Sequence, residues 1–301
     1  MRQAIDLDTF IYRCGFAAEK KTHYLEHMPS QTSEEFENKR ALNKYLKEVK
    51  NPEEYGVRTE HKIEPLGHAI ANLKSALRGV HEVCGPGEAL LYLSGKHCFR
   101  EDVATIRPYK GNRDPDNKPV HYKQMREYAV DHLGAIRCDG IEADDAVAFL
   151  AVEDRDNTVI VTNDKDLDQI PGWHYNWTKH EEPVFIEPKV ASIFFYEQIL
   201  TGDSTDNIEG IPGIGAVKAK KILEGVDNPR DAELRVYDEY CKEFGKEEGI
   251  RRLLENARLV RILRKPAEKE NLWEPEHLKK SGLLQQESTS DQDSNLESAH
   301  N

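Results

Sequence analysis

The chain has 301 residues, of which 42 are Lys or Arg and 55 are Asp or Glu, giving a formal charge of −13. Hydrophobic residues make up 38% and charged residues 32%, which is typical of one large or two smaller globular domains. Apolar runs are strand-sized, far short of the ~18 residues of a spanning helix, so we expect no membrane segment. The N-terminus lacks an apolar signal region, and the scattered cysteines form no Cys-x-x-Cys pair. We therefore expect a cytoplasmic protein without disulfides or zinc.

The beginning of the chain predicts two strands separated by helices. Residues 3–6 form a short strand that ends at an acidic cluster. Residues 19–60 are highly charged, and we expect helices there with breaks at Pro29 and Pro52. Residues 89–93 predict a buried parallel strand bounded by turn residues. The helix before this strand is indicated by apolar residues at alternating spacings of four and three: Leu66, Ile70, Leu73, Leu77 and Val80.

Strands and helices continue to alternate up to about residue 185. Residues 107–119 are polar, basic and rich in proline, which predicts an exposed, mobile loop. A helix over 120–133, another from Glu142 and an apolar strand at 158–161 follow. This order predicts an α/β fold with a mainly parallel sheet.

The rest of the chain predicts a different organisation. Beyond Val190 the helical period dominates, so we divide the chain into an α/β domain over 1–185 and a helical domain over 186–275. Residues 281–301 are rich in Ser, Gln, Asp and Asn and lack Lys and Arg. They predict a disordered acidic tail.

Four acidic clusters follow strands or open helices. The carboxyl ends of parallel strands share one edge of the sheet, where ligands bind, so we expect the clusters to converge there. Many carboxylates in one place cannot all be ionised without cations, and oxygen ligands favour Mg²⁺ or Mn²⁺ over zinc. Two such ions are well suited to phosphodiester hydrolysis. The candidate ligands are Asp6, Asp8, Glu142, Asp144, Asp145, Asp164, Asp166, Asp203 and Asp206.

Each acidic cluster also has a structural explanation. Asp and Glu in the first turn of a helix complement the helix dipole, which would account for the cluster at Glu142. Asp164 and Asp166 are suited to capping the turn that follows them. Taken singly, most clusters are better explained in this way, and it is their common edge that favours a metal site.

A glycine-rich turn follows the last acidic cluster. Gly210, Gly213 and Gly215 allow backbone N–H groups to approach phosphate oxygens closely at the start of a helix. Lys218 and Lys220 on that helix, with Lys221, add positive charge near a duplex backbone. A plain helix–helix turn is the alternative.

The loop at residues 107–113 carries three cations and an aromatic residue. Lys110 and Arg113 are suited to binding phosphates, and Tyr109 to stacking on a base. The alternative is a solvated surface loop. The proximity of a metal site would favour the phosphate-binding interpretation, because an anionic substrate needs cations.

These motifs, in this order over roughly residues 1–265, resemble those of the 5′-nuclease family. This family includes phage 5′→3′ exonucleases and flap endonucleases, and the nuclease domain of bacterial DNA polymerase I. The resemblance implies a PIN-like (Rossmann-like) core, a helical arch near residues 105–133 and a helix–three-turn–helix DNA-binding element near 203–224. The matching segments are residues 5–8, 99–100, 108–113, 142–145, 163–166, 202–203, 206–207 and 210–215.

The resemblance also implies roles for these residues. The nine carboxylates would hold two Mg²⁺ ions directly or through water, Asp8 being matched only in some relatives. Asp164, Lys110 and Arg113 would be catalytic, the two cations contacting the scissile phosphate. The glycine turn would grip duplex phosphates, possibly together with a bound K⁺ ion. The implied DNA-contacting set is Arg100, Tyr109, Lys110, Arg113, Gly210, Gly213, Gly215, Lys218 and Lys220.

One departure from the family pattern concerns a metal position. The family usually has an Asp just after the strand that corresponds to residues 89–93, and this chain has Ser94. Serine is a poor Mg²⁺ ligand, so one metal position would be weaker or would use Asp8 instead. Activity is expected to survive.

The predicted function is Mg²⁺-dependent 5′→3′ exonuclease activity with flap endonuclease and RNase H-like activity. The substrates would be DNA 5′ ends, flapped or nicked duplexes and RNA–DNA hybrids, and the protein would act as a monomer. By resemblance, a compact nuclease suggests a phage replication protein in the host cytoplasm. The net charge does not exclude DNA, because the nine site carboxylates and four in the tail account for the whole acidic excess.

Three alternatives remain. In a haloacid-dehalogenase-type phosphatase, Asp6 would be the nucleophile, Ser94 would belong to its serine motif, and Asp203 with Asp206 to its metal motif. That hypothesis leaves the cluster at Glu142 and the glycine turn without a role. A non-enzymatic DNA-binding protein would use the glycine turn and the basic loop alone. A PIN-type ribonuclease is the third, although such domains are usually smaller and lack the glycine turn.

Overall fold

Strands and helices alternate through the N-terminal part of the protein. The computed structural model describes residues 1–280 and Gly282. The first elements are β1 (Arg2–Asp6), α1 (Leu7–Phe16), β2 (Glu19–His27), β3 (Thr32–Phe36), α2 (Lys39–Leu46), β4 (Tyr55–Ile63), α3 (Leu66–Cys84) and β5 (Ala89–Cys98). They are followed by α4 (Arg100–Val103), α5 (Tyr122–Leu133), β6 (Ile136–Gly140), α6 (Ala143–Glu153), β7 (Thr158–Val161), β8 (Gly172–Tyr175) and β9 (Val184–Ile186).

Helices dominate the remainder of the described chain. The elements are α7 (Pro188–Thr201), β10 (Gly202–Asp203), β11 (Ile208–Glu209), α8 (Ala216–Ile222), α9 (Pro229–Phe244), α10 (Lys246–Val260) and α11 (Glu276–Lys280). Short 3₁₀ turns lie at Pro52–Glu54, Lys165–Gln169 and Pro266–Glu268. No helix in this described part is long and apolar enough to cross a membrane.

The central sheet has six strands in the order β6-β5-β1-β7-β8-β9. All neighbouring pairs are parallel except β8 and β9. This confirms the predicted α/β class with a mainly parallel sheet. The strand predicted at residues 158–161 has the same bounds in the structure, and all four of its residues are buried, as expected for a parallel strand covered on both faces.

Helices cover both faces of the sheet. Successive residues of a strand point to opposite faces, and in β1 Ala4 packs with Val147 of α6 while Ile5 packs with Phe10 of α1. α3 and α5 join α1 on the second face. The α3 bounds confirm the helix predicted from the apolar spacing. This three-layer arrangement leaves the carboxyl edge of the sheet open for a site.

The prediction of helices over residues 19–60 was wrong for most of that segment. β2, β3 and β4 form a separate antiparallel sheet in the order β3-β2-β4, and only α2 is helical. The pairing of β2 with β4 joins residues far apart in the chain, from Glu19 opposite Ile63 to His27 opposite Tyr55. Cross-strand pairs such as Arg58 with Glu26 stabilise these charged strands. Charge density alone therefore did not indicate a helix.

The segment predicted as the arch is mostly irregular. Between α4 and α5 the chain forms turns, so helical structure over residues 105–133 is confined to α5. Residues 111–118 are exposed, as predicted for the basic loop. The predicted tail lies outside the described residues, apart from Gly282.

The C-terminal helices share an apolar core. It includes Ile199 of α7, Val236 of α9 and Leu253 of α10. Tyr240 lies inside this core and donates a hydrogen bond of 2.6 Å to the Ile199 carbonyl. The helical character predicted beyond residue 190 is confirmed, while the domain boundary near residue 185 stays a prediction.

Candidate active site

The carboxyl edge of the sheet brings acidic residues from distant parts of the chain together. Asp6 ends β1, Asp164 follows the neighbouring β7, and Asp144 lies in the first turn of α6. A cleft of about 90 Å³ opens beside them. The acidic residues lining the cleft are Glu142, Asp144, Asp164, Asp166, Asp203 and Asp206.

Asp6 lies at the base of this acidic group. It is 3% exposed, its carboxylate accepts a hydrogen bond of 2.9 Å from Thr162 Oγ1, and it caps α1 by accepting from Asp8 N. Burial raises the pKa of Asp6 to about 8, and the nearby charges of Asp8 and Asp164 add to the increase. A buried carboxyl with acidic neighbours is one that a bound cation would stabilise.

Two further carboxyls show the same effect. Burial raises the pKa of Asp144, and Asp6 and Asp164 raise it further. Burial and the charges of Asp164 and Asp203 raise the pKa of Asp166 to about 8. Asp166 also accepts a hydrogen bond of 2.8 Å from Gln198 Nε2. Ionising these carboxyls together is therefore unfavourable in the absence of a cation.

Glu142 differs from these carboxyls because cations surround it. Burial alone would raise its pKa, but Arg100 and Lys110 outweigh that effect and lower the pKa to about 2. Lys110 Nζ is hydrogen-bonded to Glu142 Oε1, and Tyr109 Oη donates a hydrogen bond of 2.7 Å to Oε2. Glu142 is therefore a carboxylate at any pH at which the protein would function.

The basic loop docks onto the loop of residues 203–207. Lys110 N donates to the Asp206 carbonyl at 2.9 Å, and Asn112 Nδ2 donates to the Ser204 carbonyl at 2.7 Å. Arg113 Nη2 lies 2.5 Å from Asp206 Oδ1. The phosphate-binding candidates Lys110 and Arg113 thus lie at the wall of the acidic cleft.

Tyr109 has a different setting from the one predicted. Its hydroxyl oxygen lies 2.7 Å from a Glu142 carboxylate oxygen and 2.8 Å from one of Asp206, so its single proton is shared between them, and its ring packs against the core of the helical part. The ring therefore contributes to the wall of the cleft. Stacking on a base stays a prediction for this residue.

Two candidate site residues form a buried ion pair instead. Arg100 is 1% exposed and binds Asp145 through two hydrogen bonds of 2.8 Å. Arg100 also donates to the carbonyls of Leu259 and Arg261. Arg100 also lines the cleft, so its guanidinium group is held by the protein at the cleft wall, and its contact with DNA stays a prediction.

Asp145 is engaged in the same buried network. Besides Arg100, its oxygens accept hydrogen bonds from Glu142 N at 3.1 Å and Leu263 N at 2.9 Å. Its side chain is fully buried. Asp145 therefore stabilises the start of α6, where it completes a capping box with Glu142, and its role as a metal ligand stays a prediction.

Asp8 lies near Asp6 and is not among the residues that line the cleft. Its carboxylate accepts a hydrogen bond of 2.7 Å from Ser94 N and is paired with Arg126 of α5. The Ser94 hydroxyl group in turn accepts from Ala143 N at 3.0 Å. Ser94 and Asp8 thus complete a hydrogen-bonded network beside the site, and the use of Asp8 at a metal position stays a prediction.

The glycine turn is held close to α7. β10 and β11 pair so tightly that a Cβ atom at Gly210 would lie 2.1 Å from the Thr201 carbonyl carbon. Gly213 has a φ of +73°, which favours glycine, and Gly215 precedes α8 as its N-cap. Ile211 and Ile214 are buried, whereas the candidate phosphate-binding residues Gly213, Gly215, Lys218 and Lys220 are exposed.

Three residues that support the site were not anticipated. Arg126 neutralises Asp8, Gln198 orients Asp166, and Thr162 binds Asp6. Of these three, only Thr162 could have been suspected from the sequence, because it directly follows the strand predicted at residues 158–161. In the described residues, no group of three or more His, Cys, Asp or Glu is already arranged to hold a metal ion.

Sequence comparison identifies relatives of this chain. No family profile matches it. It is 34% identical over 152 residues to DNA polymerase I of Rhizobium leguminosarum, covering 45% of this chain and 15% of the polymerase. It is also 30% identical over 156 residues to a 5′-3′ exonuclease of Buchnera aphidicola subsp. Schizaphis graminum, covering 46% of this chain and 53% of the exonuclease. The chain is related to the 5′-nuclease family. This confirms the resemblance inferred from the motifs.

The 5′-nuclease relatives include phage proteins. An exodeoxyribonuclease of Enterobacteria phage T3 is 30% identical over 113 residues, covering 36% of this chain and 37% of the phage protein. The chain thus spans about half or less of the length of the curated relatives it matches. A bacteriophage T5 flap endonuclease solved with DNA and metal ions aligns over 68% of this chain and 83% of its own, with 19% identity and a TM-score of 0.48.

Proposed function

We propose that this protein is a metal-dependent 5′→3′ exodeoxyribonuclease with structure-specific flap endonuclease activity. One observation carries the proposal: six acidic residues line a single cleft whose wall also holds Lys110 and Arg113. Carboxylates bind divalent cations, and the two basic side chains suit an anionic substrate. The proposed substrate is DNA with a free 5′ end, a flap or a nick, and RNA–DNA hybrids are a further candidate.

The donor atoms fit hard divalent cations. All are carboxylate oxygens, and burial together with acidic neighbours raises the pKa values of Asp6, Asp144 and Asp166, so a bound cation would favour their ionised forms. We propose that Mg²⁺, or Mn²⁺ in its place, is held as two ions by Asp6, Glu142, Asp144, Asp164, Asp166, Asp203 and Asp206. When bound, such ions would supply an activated water molecule and neutralise charge on the phosphate.

The chain's own residues would orient the substrate. Lys110 and Arg113 are paired with Glu142 and Asp206. With cations at these carboxylates, the basic groups are available to the non-bridging oxygens of a phosphodiester, where they stabilise developing negative charge. Gly213, Gly215, Lys218 and Lys220 would bind the duplex backbone as a helix–three-turn–helix element, with K⁺ as a candidate ligand of the turn. We propose that the protein acts as a monomer.

The structure makes the phosphatase alternative less suitable. A phosphatase of that type needs a free aspartate nucleophile, and the Asp6 carboxylate accepts hydrogen bonds from Thr162 Oγ1 and Asp8 N. The second aspartate of the phosphatase motif, Asp8, is paired with Arg126. A covalent phosphoryl group on Asp6 after incubation with a phosphomonoester would support the phosphatase and contradict our proposal.

A cleavage assay tests the proposal. The substrates are 5′-labelled duplex, flapped duplex and RNA–DNA hybrid, each with Mg²⁺ or with EDTA. We expect Mg²⁺-dependent products from the wild type, and none from Asp164→Asn. The matched control is Asp168→Asn, which changes a carboxylate on the same 3₁₀ turn that does not line the cleft. Absence of metal-dependent cleavage of all three substrates would contradict the proposal.

A further inference from the structure

The separate three-stranded sheet carries a helix with a strongly basic outer side. α2 is capped by Asn38, whose side chain accepts a hydrogen bond of 2.9 Å from Ala41 N. Leu42 packs on the sheet and is 2% exposed, and the Phe36 and Tyr45 rings lie 5.3 Å apart. Five exposed cations lie on this helix and the turn after it: Lys39, Arg40, Lys44, Lys47 and Lys50.

These cations are separated from the acidic residues of the same segment. Residues 39–50 contain five cations and one carboxylate, Glu48, whereas the rest of residues 19–63 contains eight carboxylates and four cations. Two of those four other cations are paired: Arg58 lies 2.7 Å from Glu26, and Lys62 lies 3.2 Å from Glu64. Within residues 1–280 no ion pair within 4.0 Å is formed by the five cations of α2 and its turn. Their charge is therefore available to a partner.

The sheet is anchored next to the proposed active site. α1 is capped by Asp6 and runs for 10 residues, or about 15 Å, and the sheet begins at Glu19, shortly after the helix ends. Glu64 N donates to the Ala18 carbonyl at 2.8 Å, which closes the base of the sheet. The His121 ring lies 2.7 Å from the Glu64 carbonyl oxygen, so the base also contacts the end of the basic loop. A polyanion that passes the cleft and the loop can therefore continue towards α2.

We propose that the basic side of α2 and its following turn is a second binding surface for the phosphate backbone of a nucleic acid. The inference rests on the proposed function, which supplies a nucleic acid at the cleft. The surface would hold the substrate away from the scissile phosphodiester. Its contribution is electrostatic and sequence-independent, because lysine and arginine neutralise phosphates without contacting base edges.

The shape of the charged surface favours a nucleic acid over a membrane. The cations occupy one short helix, about 12 Å long from its 8 residues, and its turn. Glu34, Glu35 and Glu37 lie on and just after the neighbouring strand β3. A broad anionic lipid surface would meet these carboxylates together with the cations. A narrow row of phosphates can contact the five cations without covering the whole neighbouring strand.

The test compares two triple variants that remove the same charge. The first is Lys39→Gln, Arg40→Gln and Lys44→Gln on α2. The control is Lys20→Gln, Lys21→Gln and Lys62→Gln, three exposed cations on the strands of the same sheet. Binding to blunt duplex, to duplex with a 5′ single-stranded extension and to anionic phosphatidylserine vesicles is measured in EDTA over a range of salt concentrations.

We expect the α2 variant to bind at least one of the two DNAs about tenfold more weakly than the wild type at low salt. The slope of log affinity against log salt should become shallower by about 2 to 3, since each lost phosphate contact contributes about 0.7 to 0.9. If the slope changes for both DNAs, the surface binds duplex backbone. If it changes only for the DNA with the 5′ extension, the surface binds single-stranded backbone. The control variant should keep the wild-type slope.

Several outcomes would overturn the inference. These are unchanged slopes for the α2 variant on both DNAs, an equal loss in the control variant, or a loss confined to the vesicles. The proposed function is judged separately, by cleavage with Mg²⁺. A protein that cleaves DNA while its α2 variant binds normally retains the function and loses this inference. If the α2 variant has a shallower salt slope but the wild type does not cleave DNA, the inference is retained and the proposed function is contradicted.

Discussion

Arg100 of α4 holds Asp145 of α6 through two parallel hydrogen bonds of 2.8 Å inside the protein. The same guanidinium group donates to the Leu259 and Arg261 carbonyls at the end of α10. One ion pair therefore ties the start of the acidic helix α6 to the helical part of the chain. Its neighbour Asp144 lies in the cleft, so adjacent carboxylates have separate roles.

We expect Asp145→Asn and Asp144→Asn to separate stability from catalysis. Asp145→Asn leaves Arg100 buried without its counter-charge and should lower the free energy of unfolding by about 3–5 kcal/mol. Asp144→Asn removes a carboxyl whose pKa is raised by burial and acidic neighbours, so stability should be kept or increased. Urea unfolding and cleavage assays check both, and only Asp144→Asn should abolish cleavage in a stably folded protein. Equal stability of the two variants would contradict the structural role of Asp145.

The stability of the metal-free protein should fall as the pH rises from about 4 to above 8. The pKa values of Asp6 and Asp166 are raised from 3.8 to about 8 in the folded protein. Folding therefore favours their protonated forms, and this contribution is fully present below pH 3.8 and is lost as the pH passes through about 8.

Added Mg²⁺ should offset that loss. Calorimetry in EDTA and in Mg²⁺ measures the effect, and we expect Mg²⁺ to raise Tm more at pH 8 than at pH 5, because deprotonated carboxylates bind the cation better. Asp168→Asn serves as the control with an intact cleft. The same Mg²⁺ shift at both pH values would contradict the assignment of these carboxyls to a cation site.

Lys110→Met should reduce kcat by about 10²–10³-fold with little change in folding. The substitution keeps the aliphatic part of the side chain and removes the charge proposed to stabilise the phosphate in the transition state. Glu142 would still be paired with Arg100 at 3.3 Å. The control is Lys118→Met, which changes an exposed lysine of the loop at residues 107–119 and should retain activity. Unchanged kcat in Lys110→Met would remove Lys110 from the proposed machinery.

Two glycine substitutions should distinguish folding from DNA contact in the glycine turn. At Gly210 a Cβ atom would meet the Thr201 backbone, so Gly210→Ala should lower stability by about 1–3 kcal/mol. No atom lies within 4 Å of a Cβ atom at Gly215, and the residue is exposed. Gly215→Ala should therefore fold normally but weaken duplex binding about tenfold, because the methyl group blocks close approach of phosphates. Normal DNA affinity in Gly215→Ala would contradict the proposed contact.

Local sequence patterns determined the central fold and the acidic edge. The strand at residues 158–161 and the helix that includes Leu73 were predicted because their apolar periods depend only on neighbours along the chain. The convergence of Asp6 and Asp164 followed from the rule that parallel strands end at one edge. Relatedness to 5′-nucleases could likewise be inferred from motif order.

Tertiary structure decided which charges belong to the cleft. A carboxylate binds a cation, an arginine or a backbone N–H group with similar chemistry, and its partner lies far away in sequence. Asp8 is paired with Arg126 and Asp145 with Arg100, so neither pairing could be read from local spacing. The antiparallel pairing of β2 with β4 was hidden for the same reason. Residue types set what each segment can bind, and packing of distant segments decides what it does bind.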